Sequence, residues 1–425
     1  MILIAVMVFL LLLIMGMPIG FAIGISSIFG FLFGSDIPTY VAVQRIFSGL
    51  DSFPLIACPF FILAGELMTK GGITARIVAF SKNLVGFIRG GLGIVDILAS
   101  MIFAGISGSG AADASAIGSI LIPQLIGNRY PRGLAAVIEA TSGSIGVIIP
   151  PSMIMIIYGS LTGVSIGQLF LGGIIPGILI GLGLMVVTYL YAIKLGIART
   201  SHFDWASLYQ SFKEAFWALI APIIIIGGIL CGVFTATEAG VIAVLYALFI
   251  GFVVYKELTL KNLRKIIVDS SAITGMVMLI VGMASIYGYI LAIEQVPYTL
   301  TGYLETLDVS PVMISAGVLV FMLIIGCFME TMAIMVVFVP IVFPLINQMG
   351  LGSVHFGTLF CISVVIGGLT PPVGILIFIT MGIAKASLAE TIKYIFPYLA
   401  VLIAVLFLGL LFPEIITFLP KLFFG

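Results

Sequence analysis

The residues best suited to chemistry in this chain are hydroxyl residues and glycines at interruptions of long apolar segments. Residues 105–115 carry Ser107, Ser109 and Asp113 among small residues, and residues 141–151 carry two more serines before a Pro-Pro pair. Proline lacks a backbone donor and cannot continue a regular helix, so such a break frees carbonyl groups. Hydroxyl and carbonyl oxygens are hard ligands, of the kind that bind sodium in broken transporter helices. The sequence therefore predicts a sodium site where these segments meet.

A second pair of interrupted segments repeats the first pair later in the chain. Residues 326–331 read Gly-Cys-Phe-Met-Glu-Thr, and residues 367–372 read Gly-Gly-Leu-Thr-Pro-Pro. The Pro-Pro pairs begin at 150 and 371, and the glycines Gly146 and Gly367 precede them at the same spacing of 221 residues. Paired Gly/Pro-interrupted apolar segments in two halves of a membrane protein are typical of a transporter's binding site.

The predicted ligands divide into a sodium set and a substrate set. Sodium is assigned to hydroxyl and backbone oxygens at Ser107, Ser109, Ser142, Ser144, Gly146, Gly326, Thr331, Gly367 and Thr370. The substrate is assigned to Gly108, Gly110, Asp113, Pro150, Pro151, Glu330, Pro371 and Pro372. We expect sodium as the coupling ion, with no other metal and no cofactor.

Simpler interpretations of these residues stay open. Small residues in membrane helices often serve only close helix packing, which is the alternative for Ser107 or Ser109 taken singly. Asp113 could be only an N-cap of the helix that follows it. The other carboxylates within apolar runs are weaker candidates for function, and they are Glu66, Asp96, Glu139 and Glu238.

The composition places the chain in a membrane and excludes several other classes. It is 62% hydrophobic and 8% charged, against about 25% charged residues in soluble domains. A net charge of zero gives no case for nucleic-acid binding. The sequence has no phosphate-binding loop for ATP and no zinc-protease motif, and its four cysteines have no metal-ligand spacing. We therefore expect a protein that spans the lipid bilayer and is not an enzyme.

The positive charges predict which connections face the cytoplasm. Of 17 Lys and Arg residues, 15 fall in connections near 70–91, 127–132, 194–213, 256–265 and 385–393. By the positive-inside rule these connections are cytoplasmic, so the apolar pieces 92–106 and 113–126 start and end inside. Each piece is too short to cross a bilayer, so together they predict a re-entrant hairpin. The equivalent hairpin, 311–346, lies between connections without Lys or Arg and should enter from outside. Equivalent hairpins on opposite faces predict an inverted-topology repeat.

The remaining apolar segments predict an all-α polytopic protein with nine full crossings. The crossings are expected at 2–34, 54–69, 133–163, 168–193, 216–234, 238–255, 268–293, 354–384 and 394–419. Two of them are broken at Pro150-Pro151 and Pro371-Pro372. This path puts the N-terminus in the cytoplasm and the C-terminus in the periplasm. Residues 2–34 could instead hold two short helices.

Several of these segments resemble one known family. The longest are residues 140–152, Ala-Thr-Ser-Gly-Ser-Ile-Gly-Val-Ile-Ile-Pro-Pro-Ser, and residues 367–374, Gly-Gly-Leu-Thr-Pro-Pro-Val-Gly. Residues 103–110, 16–22 and 59–66 are similar too. Together they resemble the large membrane subunit (M subunit, DctM-like) of tripartite ATP-independent periplasmic (TRAP) transporters, over essentially the whole chain.

The resemblance implies properties that the residues alone do not show. Such proteins work with a small four-helix membrane subunit and take substrate from a periplasmic binding protein. They sit in the bacterial inner membrane and act as sodium symporters with an elevator movement. Their substrates are mostly organic acids, including sialic acid and C4-dicarboxylates. The alternatives are an anion channel, or another ion-coupled carrier that works without a binding protein.

A single membrane domain is expected, divided into a fixed and a moving part. The predicted scaffold is residues 1–91, 165–310 and 385–425. The predicted moving part is residues 92–164 and 311–384. A site built from hairpins that enter from opposite faces can be exposed alternately only if both hairpins travel together past something fixed.

Overall fold

A computed structural model describes residues 1–425 apart from 36, 200, 201, 306–308 and 373, and it leaves the side chains of 304 and 305 undescribed. Twenty α-helices make up the described fold. The first half contains α1 (Ile2–Ile14), α2 (Ile19–Gly34), α3 (Tyr40–Leu50), α4 (Ala57–Lys70), α5 (Ile73–Val85), α6 (Gly91–Ser107), α7 (Gly110–Gly127), α8 (Arg132–Ile145), α9 (Met153–Thr162) and α10 (Ile166–Lys194). The second half contains α11 (Trp205–Leu230), α12 (Ala236–Phe249), α13 (Leu260–Ile293), α14 (Val296–Glu305), α15 (Pro311–Gly326), α16 (Thr331–Gln348), α17 (Ser353–Gly367), α18 (Ile375–Ala384), α19 (Leu388–Leu411) and α20 (Glu414–Phe424).

Seven helical stretches of the described chain are long and apolar enough to cross a membrane. They are Phe53–Lys70, Ile166–Lys194, Trp205–Leu230, Ala236–Val254, Leu260–Ile293, Thr331–Gln348 and Leu388–Leu411. Six of these coincide with predicted unbroken crossings. The seventh, Thr331–Gln348, is the second arm of the second predicted hairpin. The three other predicted crossings each consist of two shorter helices. The prediction of an all-helical, multi-spanning protein is therefore confirmed.

The N-terminal segment differs most from the predicted path. Residues 2–34 form two antiparallel helices, because Gly16 adopts a left-handed conformation with φ 78° and Pro18 then caps α2. A Cβ at Gly34 would lie 2.7 Å from the Cα of Met1, so the two ends of this segment are neighbours. The prediction of one crossing is wrong here, and the two-helix alternative is the one observed. Residue 1 therefore lies on the same side as residue 34, whereas the predicted path placed them on opposite sides.

The two predicted hairpins are each a pair of helices joined at the small-residue tip. The first is α6 and α7, and the second is α15 and α16. The Pro-Pro segments separate α8 from α9 and α17 from α18, and both Pro-Pro peptide bonds are cis. The ends of the two hairpins and of the two broken helices lie within three residues of the predicted ones, because glycine and proline end helices at identifiable positions.

Three helices within the connections, α3, α5 and α14, were not predicted. α11 and α13 begin 11 and 8 residues before the predicted apolar crossings, in polar connections that the sequence allows to form interfacial helices. These helical segments are partly polar. A search for long apolar runs therefore does not detect them. The last predicted crossing is interrupted at Phe412-Pro413, after the end of α19. The helix that follows, α20, packs on α10.

Both hairpins pack into one central group of helices. α7 and α8 contact α18 from the other half of the chain, and α9 contacts α16 and α17. α10 packs on α6, α8, α9 and α17, while α19 packs on α8 and α17. Around this group, α4 contacts α12 and α13, and α13 contacts α2 and α3. The interrupted segments of both halves are therefore brought together in the middle of the fold.

Candidate functional site

The first tip is held by hydrogen bonds among the residues predicted to bind ligands. α6 ends at Ser107, and Gly108 turns the chain with φ 64°, a conformation that favours glycine. Ser107 Oγ donates to Asp113 Oδ1. Ser109 is the N-cap of α7 and accepts from the amide of Ala112 at 3.4 Å. The interpretation of Asp113 as the N-cap is therefore wrong, because Ser109 holds that position.

The first Pro-Pro break lies directly against this tip. A Cβ at Gly108 would lie 2.6 Å from the carbonyl oxygen of Pro151, so only glycine fits there without a shift. The amide of Met153 donates to the carbonyl of Gly108 at 3.4 Å. Ser152 caps α9 by accepting from the amide of Met155, also at 3.4 Å. Glycine at the tip thus allows the broken helix to approach backbone to backbone.

Further glycines bring α7 and α8 together just below the tip. A Cβ at Gly110 would lie 3.0 Å from the carbonyl oxygen of Gly143. A Cβ at Gly146 would overlap Asp113 Oδ2, which is buried and has no hydrogen-bond partner among the described residues. The predicted contact between the first tip and the first break, including Gly146, is present.

The second tip meets the second break in a comparable way. A Cβ at Gly326 would lie 2.5 Å from the Cα of Gly367, so these backbones are in direct contact. The Thr331 hydroxyl faces Gly368, where a Cβ would lie 3.3 Å from Oγ1. Glu330 is the N-cap of α16, and its Oε2 accepts from the amide of Ala333 at 3.1 Å. Thr370 Oγ1 donates to the carbonyl of Ile366 at 2.9 Å, which leaves its lone pairs for a ligand.

Both tips and both breaks border one central cavity of about 110 Å³. Its lining includes the first residues of four helices, Gly110 of α7, Met153 of α9, Thr331 of α16 and Ile375 of α18. The first amides of a helix lack partners within the helix, and the helix dipole makes that end positive. Four such ends around one cavity favour an anionic ligand.

A larger cavity of about 620 Å³ borders the same tip from one side. It shares Ser109 and Ala111 with the central cavity and extends along α7 past Ser115 and Ser119 to Lys70. Lys70 lies in a connection predicted to be cytoplasmic. The first tip is therefore accessible from the side that the charge pattern assigns to the cytoplasm.

The predicted ligands do not all face the cavity. Ser109, Gly110, Glu330 and Thr331 line it. Ser107, Ser142 and Ser144 are buried behind it, and Ser144 Oγ donates to the carbonyl of Thr141 at 2.6 Å. This arrangement separates the central cavity from the buried hydroxyl groups beside it. The ligand assignments themselves stay predictions.

Two carboxyl groups that the sequence marks only as weaker candidates for function are buried between α6 and α8. Asp96 on α6 and Glu139 on α8 are fully buried, and Ser142 Oγ donates to Asp96 Oδ1 at 3.0 Å. A carboxylate within an apolar run was the available signal. Sequence reasoning could not show that these two residues, 43 positions apart in sequence, face each other.

These structural features define the class of protein. Long apolar helices, two helical hairpins and two helices broken at Pro-Pro pairs around one cavity are the parts of a multi-pass membrane transporter.

Comparison with known proteins identifies the family. The family model for the DctM component of the tripartite ATP-independent periplasmic transporters matches residues 6–415. The sialic acid TRAP transporter large permease protein SiaM of Vibrio cholerae is 38% identical over 410 residues, 96% of each chain. The C4-dicarboxylate TRAP transporter large permease protein DctM of Pseudomonas aeruginosa is 37% identical over 393 residues, 92% of this chain and 91% of that protein. The chain therefore belongs to the DctM family of TRAP transporter large permeases, a family of multi-pass inner-membrane transport proteins and not of enzymes.

A solved structure shares the fold at low sequence identity. The crystal structure of the YdaH transporter of Alcanivorax borkumensis, noted for an unusual topology, aligns with a TM-score of 0.65 at 14% identity. The alignment covers 90% of each chain. The likeness concerns the fold alone.

Proposed function

We propose that this protein imports an organic acid anion by sodium-coupled symport across the inner membrane. The observation that carries the proposal is the convergence of four helix N-termini on one cavity between the two tips and breaks. The described lining residues of this cavity include no Lys or Arg, so a bound carboxylate relies on backbone amides and on bound cations. Glu330 already caps one of the four helices, which adds a negative charge that sodium offsets.

The sodium ions are proposed to bind at the two tip-and-break contacts. Around the first contact the oxygens come from Ser107, Ser109, Ser142, Ser144 and the backbone near Gly146. Around the second they come from Thr331, Thr370 and the backbone near Gly326 and Gly367. Hydroxyls and carbonyls in direct backbone contact support the proposal, because sodium takes hard oxygen ligands and small residues let them approach.

The transport step is proposed to be an elevator movement of an inverted-repeat core. The predicted moving part, 92–164 and 311–384, corresponds to α6–α9 and α15–α18. The packing of α10 on four of these helices and of α19 on α8 and α17 favours adding α10 and α19 to the moving body. The proposed scaffold then consists of α1–α5 and α11–α14, with α4 and α13 along its boundary with the core.

The proposed partners and substrates follow from the family. A small four-helix membrane subunit is proposed to bind the scaffold, and a periplasmic binding protein to deliver the substrate. Sialic acid and C4-dicarboxylates are the two substrate classes named in the relatives described above. The geometry of the cavity suits a carboxylate in either class.

Uptake by the full transport system in proteoliposomes tests this proposal. The protein, its small membrane subunit and its binding protein are reconstituted, and accumulation of radiolabelled sialic acid and of a C4-dicarboxylate is measured under an inward sodium gradient. We expect one of them to accumulate above equilibrium, and only with sodium. Uptake that follows a proton gradient and ignores sodium would contradict sodium coupling. Flux that never exceeds equilibrium, with currents beyond carrier turnover, would favour the channel alternative.

A further inference from the structure

Arg45 on α3 lies on a stack of two aromatic rings, on the side that the charge pattern predicts to be periplasmic. Its guanidinium carbon is 3.9 Å from the ring centroid of Tyr289 on α13. Tyr289 in turn stacks on Phe31 of α2, with ring centroids 6.0 Å apart and an interplanar angle of 12°. Phe31 is buried, so it fixes the tyrosine ring, and the tyrosine positions the guanidinium through a cation–π contact.

The guanidinium of Arg45 keeps its hydrogen-bond donors free. Stacking on a ring uses the face of the guanidinium, whereas its N–H donors lie along the edge. None of these donors has an acceptor among the described residues, and the ion pairs of the described chain do not include Arg45. A planar fork of free donors suits a carboxylate, which accepts two parallel hydrogen bonds from it.

A cavity of about 360 Å³ lies beside this guanidinium, at the boundary between the proposed scaffold and the proposed moving body. Arg45, Ser48 and Ser285 line it from α3 and α13, and Leu161 of α9 and Pro340 of α16 line it from the moving body. Its volume is within the range of small-molecule sites. Its described lining contains no Asp or Glu, so Arg45 supplies the one charge there, and that charge is positive.

We propose that Arg45 binds a carboxylate in this cavity, and that the cavity is an entry site for the transported organic acid. The identity of this ligand rests on the proposed function. Of the 17 Lys and Arg residues, only Arg45 and Lys421 lie outside the connections predicted to be cytoplasmic. The described lining of the central cavity has no Lys or Arg, so Arg45 supplies a fixed positive charge that the central cavity lacks.

Helix α16 connects this entry site to the second tip. The helix begins at Thr331, which lines the central cavity, and continues through Pro340, which lines the entry site. The interval from 331 to 340 corresponds to roughly 14 Å along a helix. An outward movement of the core by about that distance would bring the second tip level with Arg45, which stays on the scaffold. The anion then passes directly from Arg45 to the tip.

Tryptophan fluorescence of the purified full-length protein tests the entry site without requiring transport. Tyr289→Trp places an indole beneath Arg45 and keeps the cation–π contact, while Trp205→Phe and Trp217→Phe remove both native tryptophans. We expect succinate or N-acetylneuraminate to change the emission in a saturable way, in choline buffer without sodium. Arg45→Ala in this background should raise the half-saturating concentration at least about tenfold, because charge-assisted hydrogen bonds are lost. Arg45→Lys keeps the charge without the planar fork and should give an intermediate value.

Uptake in proteoliposomes provides the second measurement. Arg45→Ala should lower the initial rate, while the half-saturating concentration of the binding protein stays unchanged, because Arg45 contacts the substrate. The matched control is Lys421→Ala in the background of either assay. Lys421 is the other cation expected on the outer side, and it is exposed in α20 and absent from the cavity lining. Its emission response and its uptake should match those of the parent protein.

Several results would overturn the entry site. One is an emission change that chloride produces equally at the same ionic strength, and another is the absence of any change with either anion. A response to vesicles containing phosphatidylglycerol, but to neither organic anion, would assign Arg45 to a lipid headgroup. An unchanged anion response in Arg45→Ala would leave the arginine only a packing role on Tyr289. If uptake proves independent of sodium but the Arg45-dependent emission change persists, sodium coupling fails while the entry site stands.

Discussion

Oδ2 of Asp113 points at Gly146, so closely that any side chain at residue 146 would overlap it. The same carboxylate accepts the Ser107 hydroxyl through its other oxygen. Asp113 therefore ties the end of α6, the start of α7 and the end of α8 together at the first tip. A carboxylate oxygen without a partner, between a serine cluster and an opened helix end, is a suitable place for a cation.

Gly146→Ala should abolish sodium-dependent uptake. The added methyl group meets a carboxylate within a packed core, where overpacking typically costs about 1–3 kcal/mol. The displaced Asp113 would also lose its position at the proposed sodium site. The measurement is initial uptake against sodium concentration, together with the sodium-induced shift in melting temperature.

Gly127→Ala is the matched control for this variant. Gly127 is in α7 and has open space where a Cβ would be added. Its uptake and sodium response should match wild type. Normal sodium dependence in Gly146→Ala would contradict the role assigned to the Asp113–Gly146 contact.

The contact between the second tip and the second break should also require glycine. Gly326→Ala places a Cβ 2.5 Å from the Cα of Gly367, and backbone atoms cannot yield as a flexible side chain can. We expect uptake to be lost while assembly with the small subunit is retained. Gly317→Ala in the same helix, α15, meets nothing within 4 Å and should be active. Equal activity of the two variants would argue against a tight second contact.

The sequence predicts the local features of this site better than its long-range features. The tips and breaks were predictable because Ser109, Gly108 and the prolines end or begin helices through their own conformational limits. The convergence of Gly110, Met153, Thr331 and Ile375 on one cavity was only implied by the repeat, since it depends on packing between distant segments.

The failures of sequence reasoning have physical causes as well. The chain reverses at Gly16, and Gly34 packs on Met1 in an antiparallel pair of helices. The hydropathy of residues 2–34 does not distinguish this pair from one long helix. The contact between Asp96 and Glu139 joins two helices whose register the sequence does not encode in any short pattern. Each carboxylate was visible as an unusual residue, but the pair was not.

Removal of one liganding hydroxyl should raise the sodium requirement. Thr370→Ala removes a hydroxyl that donates its single proton to the carbonyl of Ile366 and that we propose as a sodium ligand at the second contact. Loss of one oxygen ligand is expected to raise half-saturating sodium about tenfold, equivalent to about 1.4 kcal/mol. Ser107→Ala should act similarly at the first contact, and it also leaves Asp113 Oδ1 without its donor.

The control for the hydroxyl variants is Thr417→Ala. Thr417 makes the same kind of bond to a carbonyl one turn earlier, to Pro413 at 3.0 Å, but this bond is exposed and lies far along the chain in α20. Sodium titrations of uptake should separate the variants, with Thr417→Ala superimposed on wild type. Unchanged titrations for both Thr370→Ala and Ser107→Ala would assign these hydroxyls to packing alone.

Two disulfide cross-links should distinguish the moving body from the scaffold. A Cβ at Gly288 of α13 would lie 3.7 Å from the Cβ of Pro340 in α16, within the range that a disulfide spans. Gly288→Cys/Pro340→Cys therefore ties the second hairpin to the proposed scaffold. Oxidation should stop uptake, and reduction should restore it, because the hairpin can no longer travel past α13. The small subunit should still co-purify.

The second cross-link tests whether α10 travels with the hairpins. A Cβ at Gly172 of α10 would lie 3.6 Å from the Cβ of Thr358 in α17. If α10 belongs to the moving body, oxidised Gly172→Cys/Thr358→Cys keeps its uptake, since both residues move together. Loss of uptake in this variant would return α10 to the scaffold, where the sequence first placed it. Full activity of the oxidised Gly288→Cys/Pro340→Cys protein would instead rule out movement of the second hairpin relative to α13, and with it the elevator mechanism.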